Sequence, residues 1–197
     1  MSIFFSIDAP APICFFIIND LKTLVFGASP MPVNLLNRSK LIFDAAGIGA
    51  SYIPGHGHAD TLSLELSIGK ERVIVNSGIS EYAETKMRLL QRKTRSHSTI
   101  EVNGEDSSQV WNSFRVGNRA KVVKRDCFLD SNDTIVMNAT HNGYKKWLGG
   151  CLHSRKINFG KSYLSISDYI HGSYKSAISR IYFHPLLKLK ITFDDKF

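Results

Sequence analysis

Pro54-Gly-His-Gly-His-Ala-Asp60 runs without a break into Thr61-Leu-Ser-Leu-Glu-Leu-Ser-Ile68. The second half alternates strictly, with Leu62, Leu64, Leu66 and Ile68 separated by polar residues, which is the period-two pattern of a half-buried strand. Extended backbone repeats its side-chain direction every two residues, so His56, His58 and Asp60 share the parity of the leucines. The expectation is a polar trio that continues the buried face of the strand to its open end, unless a bulge intervenes. After it, Gly69-Lys70-Glu71 reads as a turn, and residues 72–76 return with Val73-Ile-Val75 as a strand covered on both faces.

Outward from this hairpin the same grammar repeats. Residues 98–102 lead into Asn103-Gly104, a strong hairpin-turn pair because both positions accept positive φ. Further strands are predicted over residues 113–116, 120–124, 134–140, 153–159, 163–170 and 177–184, with turns rich in Asn, Asp, Gly and Ser between them. One short helix is predicted over residues 84–91. Many short strands with no long amphipathic helix specify an all-β protein, an antiparallel β-sandwich. Residues 1–38 carry Pro10, Pro12, Pro30 and Pro32 and short apolar bursts without sustained periodicity. They are read as a poorly defined N-terminal extension, and residues 39–197 as the sandwich domain.

Bulk properties agree with one well-filled core. The chain has 197 residues, 43% of them hydrophobic, too few for two full domains. Its formal net charge of +8 favours a polyanionic partner, without choosing among acidic polysaccharide, nucleic acid and anionic membrane surface. Cys14, Cys127 and Cys151 are widely spaced and odd in number, which argues against a disulfide framework or a thiolate zinc site. Asp8, Pro10 and Pro12 interrupt the apolar N-terminus and no basic residue precedes it, so neither a signal peptide nor a transmembrane segment is predicted.

Several motifs in order carry a resemblance. Residues 41–60, then Ser63-Leu-Glu-Leu-Ser67, Val73-Ile-Val-Asn-Ser-Gly78, Arg95-Ser-His-Ser-Thr99 and Asn103-Gly-Glu-Asp106 together resemble the heparinase II/III family, specifically its C-terminal β-sandwich domain. The resemblance implies a polysaccharide lyase that cleaves uronic-acid-containing chains by elimination, acting in the cell envelope or periplasm. Such chemistry needs a base for the proton α to the uronate carboxylate, neutralisation of that carboxylate, and an acid for the leaving oxygen. Histidine suits it because it titrates near neutrality.

In the family, an N-terminal helical toroid carries a tyrosine and a further His or Asn, and the sandwich adds a histidine that maps onto His56. A zinc site maps onto His58, Asn76 and His97, with a neutral amide at Asn76 where the family has a carboxylate. If the hairpin is regular, Asn76 lies opposite Leu64 and an extended His58 is about 20 Å away. A shared metal then requires residues 55–60 to fold back, with Asp60 as a substitute ligand. Met1 precedes the histidine motif by only about 55 residues. The resemblance therefore implies a truncated form without activity of its own, a split enzyme whose toroid is separately encoded, or a non-catalytic acidic-polysaccharide-binding sandwich.

The basic series Lys86, Arg88, Arg92, Lys93 and Arg95 lies between two site segments. It reads either as a solvated charge run or as a surface that draws in an acidic glycan, with Arg92 and Arg95 as substrate contacts. Tyr82 and Trp111 can stack on sugar rings or pack in a core. His141, His153, His171 and His184 lack partner spacing and read as structural or exposed. Glu105 and Asp106 read as turn solvation. A cupin-like metal protein also uses His-x-His on a strand, but Glu65 falls too late after His58 and the later motifs have no counterpart there. No motif for nucleic-acid binding accompanies the positive charge.

Overall fold

A computed structural model describes residues 2–7, 18–19, 23–27, 39–49, 52, 54–112, 114–145 and 150–194. In chain order the elements are β1 (Ser2–Ile7), β2 (Ile18–Asn19), β3 (Thr23–Gly27), β4 (Ser39–Phe43), β5 (Leu64–Ile68), β6 (Glu71–Ile74), the helix α1 (Lys86–Arg92) and a 3-10 turn at Thr94–Ser96. Then follow β7 (Ile100–Val102), β8 (Val110–Trp111), β9 (Arg115–Val116), β10 (Val122–Leu129), β11 (Ile135–His141), β12 (Leu152–Phe159), β13 (Tyr163–His171), β14 (Ala177–Ser179) and β15 (Leu189–Asp194). The all-β sandwich read from the sequence is the observed architecture.

One layer is a seven-stranded sheet in the order β10-β11-β12-β13-β3-β1-β15, antiparallel except where β1 runs beside β3. The facing layer is assembled from β4-β5-β6 and β2-β14-β7. The segment after β14 joins these two sheets: Val75 N–H donates to Tyr182 O (2.9 Å), His184 N–H donates to Val73 O (3.0 Å), and Ile74 bridges Phe183. The predicted strand over residues 177–184 is thus one extended path that changes partner midway, from β7 to β6.

The core lies between the layers. Leu64 and Leu66 of β5 and Val73 and Ile74 of β6 meet Ile157 and Phe159 of β12 and Leu164 and Ile166 of β13. Each such side chain contributes about 1.5–3 kcal/mol on burial. The β5–β6 hairpin turns tightly through Gly69-Lys70, pairing Ile68 with Glu71, and a bulge then restores the expected register at Leu66 and Ile74. Asn103 and Gly104 take φ of +53° and +76°, and Val102 bridges Glu105, so that turn forms as its chemistry dictates.

Two expectations fail in instructive ways. The sequence predicts no regular element in residues 1–38, yet residues 2–7, 18–19 and 23–27 are strands. Their partners β15, β14 and β13 lie near the other end of the chain, a pairing that no local pattern records. The histidine run does not extend β5. Residues 54–63 are a loop, Leu62 sits at φ +66°, and the strand begins at Leu64. That left-handed residue breaks the parity argument, since the chain reverses between the histidines and the alternating leucines.

A candidate cleft and metal centre

The loop of residues 54–60 alternates after all, but with its small residues inward. Gly55, Gly57 and Ala59 are buried, His56 is exposed, and His58 and Asp60 are half-buried. At Gly57 the residue must be small: a Cβ there would lie 2.7 Å from Ile48 Cγ1 and 3.1 Å from Pro54 O. Ile48, Ala59 and Val110 form a small apolar cluster beneath the loop. The histidines therefore look into an open cleft of about 660 Å³, walled by Asp44, Gly47–Gly49, Glu65, Arg72, Asn76 and Gly78.

Helix α1 holds this loop from behind. Thr85 caps it, its hydroxyl accepting Arg88 N–H at 3.1 Å. Arg88 and Arg92, one turn apart, share the buried face. Arg92 donates to Gly57 O (3.0 Å), Asn112 O (2.8 Å) and Arg115 O (3.4 Å), while its own carbonyl accepts Ala59 N–H (2.8 Å). Read from the sequence as a glycan contact, Arg92 is instead an interior strut at 0% exposure. Helix periodicity explains the reversal: Arg88 and Arg92, at i and i+4, face the core while Lys86 stays exposed; Arg95, in the 3-10 turn beyond the helix, is exposed as well. Lys93 pairs with Asp106 at 3.9 Å. Asp106 does more than solvate its turn, since it accepts Thr94 N–H at 2.9 Å.

His97 follows the 3-10 turn and is fully buried. Its Nδ1 lies 3.2 Å from Asn76 Oδ1, an oxygen that also accepts Gly78 N–H at 3.1 Å. An amide oxygen only accepts, so Nδ1 carries the proton and Nε2 presents a lone pair. That lone pair faces His58 Nδ1 at 3.2 Å. A carboxylate oxygen of Asp60 completes a group of three donor atoms within 4.8 Å of one another. The separation of about 20 Å computed for an extended chain does not arise, because the loop folds back.

Electrostatics separates these groups. Burial, followed by the nearby charges of Arg92 and Arg88, lowers His58 to about 4. Burial and then His58 lower His97 to about 3. Burial and then Asp44 raise Asp60 to about 7. Two neutral imidazoles beside a carboxyl group poised near neutrality form an N,N,O donor set able to take a divalent cation such as zinc.

His56 stands at the mouth. Its ring meets Tyr82 edge-on at 5.7 Å and Phe114 at 6.2 Å. The Arg88 guanidinium lies between these two rings, 4.9 and 4.4 Å from their centroids. Tyr82, Phe114, Trp111 and Arg95 are exposed, and Arg115 covers one face of Trp111 at 4.9 Å.

Against known proteins, a family model described as heparinase II/III-like, C-terminal, matches residues 27–197. The chain belongs to this family. The match begins at the end of β3, so the family domain takes in chain ahead of residue 39. No curated protein matches. A solved heparinase III gene product with methylated lysines aligns with 95% of this chain and 36% of its own, at 12% identity and a TM-score of 0.35, a likeness too weak to carry argument. The chain spans about a third of that protein's length. Among the described residues, no helix is long and apolar enough to cross a membrane.

This heparinase II/III-like domain thus brings His58, Asn76 and His97 together, sets His56 apart at the surface, and removes Arg92 from it. Asp44 escaped the sequence reading. His141 and His153, read as structural or exposed, are buried, and the partners that make them a group, Arg155 and Asp168, were missed; all four lie on the inner face of the large sheet. The signal was present. His153 and Arg155 share the parity of Ile157 and Phe159, which places them on the buried side of β12.

Proposed function

We propose that this domain forms one wall of a polysaccharide-lyase cleft for uronic-acid-containing chains, with His56 facing the substrate and a divalent metal, zinc by family resemblance, held behind it. The observation that carries the reading is the convergence of His58, Asp60 and His97 at an open cleft that the exposed His56 also lines. Family membership supports the substrate class. His56 would help neutralise the uronate carboxylate while a base takes the proton α to it; the electron pair then forms the carbon–carbon double bond as the bond to the glycosidic oxygen breaks, and an acid protonates that oxygen. Tyr82, and Phe114 beside it, would stack on a neighbouring sugar, while Arg95 adds positive charge at the rim. The tyrosine that completes the chemistry would come from the helical toroid of the family, on the same polypeptide or a separate one. The setting would be the cell envelope or periplasm.

The metal reading assigns His58 Nδ1, His97 Nε2 and Asp60 as ligands. Two nitrogens about 2.0–2.1 Å from one tetrahedral zinc lie about 3.3 Å apart, close to the 3.2 Å between these two. Asn76 then orients His97 through Nδ1, and Asp60 supplies the carboxylate that the family keeps at the Asn76 position. Bound there, zinc would cross-link the loop of residues 54–60 to the segment at His97.

The test is to mix the purified chain with a panel of acidic polysaccharides, alone and with a family toroid domain, and follow the ultraviolet absorbance of unsaturated uronate. Product that requires the toroid and disappears in His56→Ala is the expected result. Binding without product under any condition would favour an acidic-polysaccharide-binding module, and neither binding nor product would overturn the proposal.

A further inference from the structure

Among the buried titratable groups that the cleft does not use, one set forms a continuous chain. Gly143 N–H donates to His141 Nδ1 (3.0 Å), which leaves the proton of the neutral ring on Nε2. That atom faces His153 Nδ1 (3.1 Å). His153 Nε2 in turn meets Asp168 Oδ1 (2.7 Å). The donors thus run in one direction and end on the carboxylate, with both rings neutral and each in one tautomer. From the other side Arg155 clamps the same carboxylate through Nε (2.7 Å) and Nη2 (2.8 Å). Antiparallel register explains why: His141 lies opposite His153, and Arg155 lies opposite Asp168.

The remaining nitrogen of Arg155 leaves this sheet. Its Nη1 donates to Leu62 O (2.8 Å) and to Ser98 O (2.6 Å). Leu62 ends the loop that carries His58 and Asp60, at φ +66°, and Ser98 adjoins His97. A single guanidinium nitrogen, 1% exposed as a residue, therefore spans the two segments that supply the three donor atoms.

We propose that Arg155, aimed by Asp168 and the His153–His141 pair, is a positioning residue that sets the spacing between the two segments of the cleft centre. This rests on the reading of that centre given above. The link is geometric: the fork is fixed at Asp168, so its third arm fixes both carbonyls at once. A lysine keeps the charge but offers one nitrogen for four acceptors.

The experiment compares the full chain with Arg155→Lys, His153→Gln and, as a control, Ile157→Val, which thins the core on the same strand without touching the chain of donors. Two signals are read: the ring ¹⁵N shifts of His58 and His97 without metal, and the affinity for Zn²⁺ or Co²⁺ by chelator competition. Arg155→Lys should displace or average the ring shifts and weaken metal binding at least tenfold, and His153→Gln should do the same to a smaller degree. Ile157→Val should lower the melting temperature and leave both signals in place. If Arg155→Lys fails to fold, His153→Gln decides. Wild-type shifts and affinity in a folded but less stable variant would overturn the proposal, leaving Arg155 a stability residue only. A wild type that binds no metal would defeat the metal reading alone, because the ring shifts still report the spacing.

Discussion

The molecule contains two histidine pairs at almost the same separation, 3.2 Å for His58 and His97 and 3.1 Å for His141 and His153. Burial lowers the pKa of all four. What differs is the carboxylate beside each. Burial alone would push Asp168 upward, but Arg155 and His153 hold it far below the usual carboxylate range. Asp60 has Asp44 as its charged neighbour and is pushed the other way. The His141–His153 pair is closed, every donor matched to an acceptor inside the sandwich. The His58–His97 pair lies at a cleft, with a lone pair aimed at its partner and a carboxyl group that gains from meeting a cation. Equal spacing is therefore no guide to role; the fate of the nearest carboxylate is.

The sharpest break of the closed pair is Arg155→Met. It leaves the Asp168 charge buried with its strongest partner gone, and removing one member of a buried ion pair costs about 3–5 kcal/mol. Urea unfolding followed by circular dichroism should show a loss of that size. A loss under about 1 kcal/mol would mean that the clamp is dispensable and the contrast between the pairs is overstated.

Much of this was legible from the chain, and the remainder has identifiable causes. The alternation of residues 64–68 and the turn chemistry at Asn103-Gly104 are local, and both formed as expected. The return path over residues 177–184 was legible as a strand but not as one shared between two sheets. The site histidines were legible as residues and not as geometry, because one left-handed Leu62 undoes a parity count over the whole stretch. Arg92 was misplaced because a charge run was counted without its helical phase. Asp168 was invisible for a different reason. Its meaning depends on lying opposite Arg155, and register across a hairpin follows from the turn between residues 159 and 164, not from either residue.

Acid titration separates the carboxylates beside the two pairs by sign, Asp168 being held low and Asp60 pushed high. His141 and His153 have folded pKa values below the ordinary 6.5, so the unfolded chain binds more protons and their contribution is lost as pH falls below about 6.5. Besides His141, which it touches, His153 has Arg155, Asp168 and His171 as charged or titratable neighbours. Stability should therefore fall progressively as pH drops through about 6.5, the ordinary histidine value at which the unfolded chain takes up its protons. His58 and His97 act in the same sense, but Asp60 opposes them. Raised from 3.8 to about 7, it favours the folded state at low pH, and that contribution is lost as pH rises through 7. Metal-free Asp60→Asn should therefore be more stable than wild type at pH 8 by about 1–2 kcal/mol, allowing for partial exposure, with the difference gone by pH 4. Denaturant midpoints across that range provide the check, and a variant destabilised equally at both pH values would refute the assignment.

The proposed metal centre offers a way to sharpen the open pair. Replacing Asn76 by Asp puts a carboxylate on His97 Nδ1–H, which raises the basicity of Nε2 and orients the ring more firmly. Outer partners of this kind are worth about tenfold or more in metal affinity. Competition with a chromophoric chelator should show tighter binding by about that factor. Unchanged affinity, with binding abolished in His97→Ala, would mean that His97 binds without needing its partner.

The smallest effect divides the two arginines that the sequence placed together at the glycan surface. Arg95 is exposed and Arg92 is fully buried. Arg95→Ala should weaken binding of an acidic polysaccharide about twofold to threefold at low ionic strength, with the difference erased by salt, since an exposed charge acts through a screened field. Arg92→Lys should leave binding by the folded protein unchanged while lowering stability, because its guanidinium holds Gly57, Asn112 and Arg115 carbonyls. If Arg92→Lys instead weakens glycan binding more than Arg95→Ala at equal stability, the strut has a second role: holding Gly57, it would set the height at which His56 meets the substrate, and the open pair would depend on interior bracing as much as the closed one does.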